Sequence, residues 1–271
     1  MHQVRPAAVA GTFYPGQGSV LSSDVMALLA QAGAGADPRA KAPKAIIVPH
    51  AGYRYSGATA ALAYVRLAPV RNTIRRVVLL GPVHRVPVRG LALPDVDFFA
   101  TPLGQVQVDR SAIAVIAALP QVVVSAAAHA MEHALEVQLP FLQSVLDDFK
   151  LLPLAVGDAT PVEVAQVLEA LWGGPETLIV ISSDLSHFLP YQAAQSVDQA
   201  TVQSILAMDR PLTHQQACGG TALNGLLLAA RPHRLRPQLL GQCNSGDTAG
   251  DKSRVVGYAA IAFMEPSDAV C

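Results

Sequence analysis

Charge is scarce in this sequence. Only 14% of its 271 residues are Asp, Glu, Lys or Arg, and the formal net charge is -1. There is no basic stripe of the kind a nucleic-acid-binding surface needs, and no like-charge run long enough to act as an interaction tail. Cysteine is scarce as well. Cys218, Cys243 and Cys271 form an odd, widely spaced set with no CxxC pair. That excludes a disulfide framework and a zinc ribbon, and it points to a reducing, cytoplasmic setting. Long apolar runs are missing: "ALLAQAGAGA" is interrupted by glycine, while "AIIVP" and "LIVIS" have the length of buried strands. No membrane span is expected. The opening "MHQVRPAAVAGTFYPGQG" lacks the basic segment and unbroken apolar run of a signal peptide.

What is abundant is apolar surface. Hydrophobic residues make up 51% of the chain, ample for a large core in one α/β domain or two small ones. β-rich apolar runs ("KAIIVPH", "RRVVLLGPVH", "KLLPLAVG", "TLIVISSD", "RPQLLGQCNS", "RVVGYAAIAFM") alternate with Ala/Leu-rich helical runs. Continuous apolar strands between helices predict a sheet covered on both faces. "GLALPDVDFFATPLGQVQVD" reads as an excursion of short strands. The stretch from about Ser125 to Phe149 reads as one long helix, kinked or broken at Pro140. "QAGAGADPRAKAPKA" reads as a loop, because the segment before it is too short to fold alone. Residues 1–271 are therefore expected to form a single domain.

The polar residues fall at strand ends. His50 closes one strand and His84 the next, with a stretch of βαβ-crossover size between them. Parallel neighbours about 4.8 Å apart would bring both imidazoles to one ion at the carboxyl edge, where open α/β sheets bind ligands. "TLIVISSDLSH" adds Asp184 and His187, and "QLLGQCNSGD" adds Asp247 after a glycine turn. Each has an ordinary alternative: a hydrogen-bonded loop histidine, a helix N-cap aspartate, a turn aspartate. Four strands all ending this way favour a joint site. Two histidines and a carboxylate make the facial triad of non-haem Fe(II), while imidazole also suits copper and zinc. Cys243 is a candidate soft ligand. Cys218 reads as a buried small hydrophobe in a helical run, Cys271 as uninvolved, and His214 and His233 as structural or surface residues.

The segments "RPAAVAGTFYP", "PHAGYRYSGATAALAY", "LLGPVH", "TPLGQVQVD", "EHALEVQLPFLQ", "ISSDLSHF", "ACGG" and "NSGD…VVGYAA" together resemble the Memo family, whose bacterial members are called AmmeMemoRadiSam system protein B. The resemblance runs in order from about Arg5 to Ala260. It implies a three-layer αβα sandwich around a mixed, largely parallel sheet, similar to class III extradiol dioxygenases. It also implies a metal site with His50, His84 and Asp247 as ligands and Fe(II) as the expected metal, copper or zinc being the alternatives. His187 then matches the acid/base histidine, with Asp184 beside it. The "EH" pair, Glu132 and His133, resembles a pocket-lining pair, as neighbours or substrate contacts of the metal.

Three functions compete. One is a metal-dependent oxidoreductase with a small-molecule ligand. Another is a non-catalytic binding or scaffold protein that keeps a vestigial pocket, with a peptide or with AMMECR1-type and radical-SAM proteins as partners. The third is a zinc peptidase, since His129, Glu132 and His133 have the spacing His-x-x-Glu-His. The peptidase needs one continuous helix through both histidines and a distal acidic ligand; Pro140 and the apolar run after it disfavour that. His129 is expected to be no ligand.

Overall fold

The computed structural model describes residues 2–34 and 41–266. Cys271 and positions 35–40 of the Gly/Ala/Pro loop lie outside the described residues.

Four strands form the parallel centre of the main sheet: β2 (Ala45–Val48), β9 (Thr177–Ser182), β3 (Arg76–Pro82) and β8 (Lys150–Val156), hydrogen-bonded in that order. Apart from Arg76 and Lys150 at the strand starts, their residues are buried on both faces, and alternate side chains enter separate cores. Ile46, Val48, Val77, Leu79, Leu178 and Val180 face one core. Ala45, Ile47, Val78, Leu80, Ile179 and Ile181 face the other. This period of two against two helical layers is why the strands are apolar throughout rather than alternating with polar residues. The first layer holds α1 (Gly18–Gly33), α2 (Tyr53–Tyr64) and α6 (Leu139–Val145). The second holds α3 (Arg110–Ile116), α7 (Pro161–Ala170), α8 (Tyr191–Ala207) and α9 (Gly220–Ala230). Helix α7 starts where the sequence signals it, at Pro161 behind a Thr160–Glu163 capping box.

The sheet is mixed because its edges are antiparallel. On one side β4 (Leu91–Leu93) runs antiparallel to β8 and parallel to β7 (Val122–Val124). On the other, the long β12 (Val255–Met264) runs antiparallel to β2 and carries β11 (Arg236–Asn244) beyond it. The short β10 (His187–Leu189) pairs with the start of β12. A separate small sheet joins β1 (Val4–Arg5), β5 (Phe98–Thr101) and β6 (Gly104–Gln107).

Two expectations are corrected. The run from Ser125 to Phe149 is three helices: α4 (Ala126–Ala130), α5 (His133–Glu136) and α6. Pro140 sits in the first turn of α6, where its missing N–H costs nothing. The decisive break comes earlier, where Glu132 is extended (φ -78°, ψ 125°) and caps α5 by accepting from the Ala134 N–H. The glycines of "ACGGT" likewise delay α9, so Cys218 lies in the turn before that helix instead of inside it.

Candidate metal centre

His50 lies two residues beyond β2 and His84 two residues beyond β3, at the same carboxyl edge. The two strands are not neighbours: β9 pairs with both and runs between them. Their backbones are therefore about 10 Å apart, and the rings reach toward each other over the end of β9. Their centroids are 5.2 Å apart. His133, the first residue of α5, completes the group, with its ring 5.5 Å from His50 and 4.7 Å from His84. One ligand nitrogen from each of the three lies within 4.8 Å of the others.

The neighbours fix two of these rings as metal-binding tautomers. The Ser182 hydroxyl donates its only hydrogen to the Ala134 carbonyl (2.6 Å) and accepts from Gln138 Nε2 (2.9 Å). It must then accept from His50 Nδ1, 3.0 Å away, which assigns the proton to Nδ1 and leaves Nε2 with its lone pair. Glu132 does the same for His84, accepting from its backbone N–H (2.6 Å) and from Nδ1 (2.8 Å). Carboxylate and hydroxyl partners of this kind orient ligating imidazoles in metal sites. Burial first, then the facing His84, holds the His50 imidazole down at about 3. Burial and then His50 hold His133 at about 4. Burial works to raise the Glu132 carboxyl, but the His84 side-chain hydrogen bond and charge and the Ala134 and His84 amides outweigh it and hold it at about 2. At neutral pH His50 and His133 are thus neutral imidazoles beside one carboxylate.

Asp184 follows β9 and accepts from the His50 amide (2.8 Å), with Oδ2 3.9 Å from His50 Nε2; burial pushes its carboxyl up. It caps no helix. His187 Nδ1 lies 2.9 Å from the Leu185 carbonyl, an acceptor only, so a proton is on Nδ1. His187 and His84 line a cavity of about 630 Å³ with Leu189, Gln216 and Cys218.

Cys218 is the residue that sequence reasoning missed. Its Sγ is 3.2 Å from His50 Nε2 and accepts from the Asp184 N–H at 3.3 Å. Burial, then the Asp184 charge, pushes the thiol up to about 12. The adjacent Gly219 permits this placement, because a Cβ there would lie 2.8 Å from Ser183 Cβ. The signal available in the sequence was a cysteine placed directly before a Gly-Gly pair that opens a helix.

Asp247, expected as the third ligand, is elsewhere. "NSGD" is not an open turn but the start of α10 (Ser245–Thr248), with Asn244 as N-cap and Asp247 in the capping box. The carboxylate accepts from the Asn244 N–H (2.9 Å) and from the Tyr191 hydroxyl. These bonds turn Asp247 back onto its own cap and onto α8, and it lines a cavity that contains none of the three histidines. Cys243 leaves the site with it: its Sγ is 3.0 Å from Thr59 Oγ1, and it lines a different cavity, between α8 and β11, together with Asp247. The peptidase geometry also fails. His129 belongs to α4, its Nε2 bonds the Ala92 carbonyl (2.9 Å), and its ring packs on Phe99. With the helix broken between them, His129 and His133 do not share a helix face.

Fold and site define a class: an αβα protein with an imidazole cluster able to hold a metal at the carboxyl edge of its sheet. The particular family follows from comparison. The Memo-like protein family model matches residues 5–262. A MEMO1 family protein of Ignicoccus hospitalis is 37% identical over 97% of this chain and 99% of its own. One from Aquifex aeolicus is 37% identical over 97% of this chain and 100% of its own. The chain belongs to the Memo family. A solved structure of the uncharacterized protein JW3007 from Escherichia coli K12 aligns with 80% of this chain and 98% of that one, at 14% identity and a TM-score of 0.49.

Proposed function

We propose that this protein is a metal-dependent oxidoreductase acting on a small molecule held in the cavity that His84, His187 and Cys218 line beside the imidazole cluster. One observation carries the reading: three imidazoles converge, and Ser182 and Glu132 hold the proton of two of them on Nδ1, which leaves Nε2 as the ligand nitrogen. A structural metal site is usually closed, whereas this one opens onto a cavity lined by further polar groups. Fe(II) is the proposed metal, with copper and zinc its competitors, since neutral imidazole suits all three. Such a metal would supply a Lewis-acidic, redox-active centre with open positions for ligand.

The chain's own residues do the rest. His187 lines the cavity with Nδ1 committed to the Leu185 carbonyl, and its Nε2 is the proposed group that takes a proton from the bound ligand. Asp184 ties the His50 backbone to β9 and lies near the same ring. Cys218 stands against His50 Nε2 as a candidate fourth donor and would favour a softer metal when ionised.

The test is metal analysis of protein purified without oxygen, followed by Fe(II) loading and oxygen uptake with phenolic and enediol-like probes. The expected result is one redox-active metal per chain and uptake that disappears in His187→Ala with the metal retained. Stoichiometric zinc, with no oxygen uptake under any condition, would overturn the oxidoreductase reading.

A further inference from the structure

The break between α4 and α5 is what aims Glu132 and His133 at His84, and the sequence alone does not force it. "AAAHAMEHALEV" holds no glycine or proline and would run on as a helix. In a continuous helix the carbonyls of His129 and Glu132 would accept from residues 133 and 136. Here the His129 carbonyl loses its partner at residue 133, while the Glu132 carbonyl, as the N-cap of α5, keeps its bond within that helix; a side chain distant in sequence donates to both. Arg5 is 3% exposed; its Nε donates to the His129 carbonyl (2.6 Å) and its Nη2 to the Glu132 carbonyl (2.7 Å). The third arm of the fork, Nη1, reaches Glu136 Oε2 at 2.6 Å. Glu136 is fully buried and has every lone pair engaged. Besides Arg5 it accepts from the Ala8 N–H (2.8 Å), the Val9 N–H (3.0 Å) and the Tyr14 hydroxyl (2.6 Å). The segment so held carries Phe13, whose ring packs 4.7 Å from His133.

We propose that Arg5 and Glu136 are positioning residues of the imidazole cluster: their buried ion pair holds the α4–α5 break that delivers Glu132 and His133 to His84. A buried Arg–Glu pair is costly to desolvate and adds little stability over apolar residues of the same volume. Its use here is geometric. The planar fork satisfies two carbonyls and one carboxylate together, which no other side chain does.

The proposal rests on the metal reading only in its metal arm, so the test has two. Three proteins are compared: wild type, Arg5→Met/Glu136→Met, which replaces both charges by apolar volume, and Arg5→Lys, which keeps the charge but loses the fork. Nitrogen-15 histidine spectra of the metal-free proteins report the His84 Nδ1–H bonded to Glu132. Co(II) titration reports affinity, and Co(II) absorption reports the number of imidazole ligands. Both variants are expected to unfold cooperatively, to lose the His84 Nδ1–H signature, and to bind Co(II) about 10–100-fold more weakly with one imidazole fewer. If wild type binds no Co(II) but the His84 signature still vanishes in the variants, the metal reading falls and the positioning role stands. A folded variant with the wild-type signature and Co(II) affinity overturns the proposal. So does loss of folding in both variants, which would make the network a general element of the core.

Discussion

Replacing Glu132 with glutamine removes one charge and almost no volume, so its effect can be worked out bond by bond. The carboxylate accepts from the His84 N–H, from His84 Nδ1–H and from the Ala134 N–H. A glutamine has one oxygen for these three donors, and its NH2 must face at least one of them. A buried donor left unsatisfied costs about 1–3 kcal/mol. Linkage gives a similar figure. The Glu132 carboxyl is held at about 2 in the folded chain against an ordinary 4.5. A depression of that size contributes roughly 3 kcal/mol at neutral pH. Because the folded value is the lower one, this stability is fully present above pH 4.5 and drains away as pH falls toward 2. Urea unfolding of metal-free wild type and Glu132→Gln should therefore differ by about 2–3 kcal/mol at pH 7, and by progressively less below pH 4.5. The same variant frees the His84 ring to turn or change tautomer, and metal affinity should fall about 10–100-fold. Equal stability at pH 7, or a difference that does not change with acid, would refute the reasoning.

Acid should weaken the metal-free protein even before its carboxylates protonate. Burial is the leading cause that depresses His50 to about 3, and His129 and His133 to about 4, all from 6.5. The unfolded chain then binds more protons, so stability is full above pH 6.5 and falls as pH drops toward 4, by on the order of 3 kcal/mol for each histidine if independent. Denaturant midpoints between pH 7 and 4.5 check this; a flat profile contradicts it. Gly81→Ala places a Cβ 3.0 Å from Leu135 Cδ2 and 3.2 Å from Ala134 Cβ, against the helix that carries His133. It should cost about 1–3 kcal/mol by thermal unfolding and weaken metal binding in parallel. Cys218→Ser should leave the fold intact and lower the preference for Cu(I) over Fe(II), read by competition between the two metals.

The sheet was legible in the sequence because its strands are buried on both faces, so apolar runs such as "AIIV" and "LIVIS" have no other use. His50 and His84 were legible for the same reason: each is the first titratable group after such a run. Strand order was not. The chain gives no local sign that β9, more than ninety residues later, inserts between β2 and β3. His133 was expected to line the pocket, but its place among the ligating imidazoles was hidden by long-range chemistry. His133 sits in a stretch with every local mark of a continuous helix, and the fork that breaks it comes from Arg5. Asp247 misled because a Ser-Gly-Asp turn and the start of a capped four-residue helix look alike in sequence, while the Tyr191 partner that occupies the carboxylate lies 56 residues away. Cys218 was passed over because an apolar context suits an inert thiol, and only the tertiary contact with His50 distinguishes it.

The central claim is that His50, His84 and His133, and not Asp247, hold the metal. Anaerobic Fe(II) titration by calorimetry of wild type, His133→Ala and Asp247→Asn tests it most directly. The account predicts one Fe(II) per chain in wild type, at least a hundredfold weaker binding in His133→Ala, and wild-type affinity in Asp247→Asn with at most about 1 kcal/mol lost from the α10 cap. Loss of binding in Asp247→Asn with full retention in His133→Ala would contradict it.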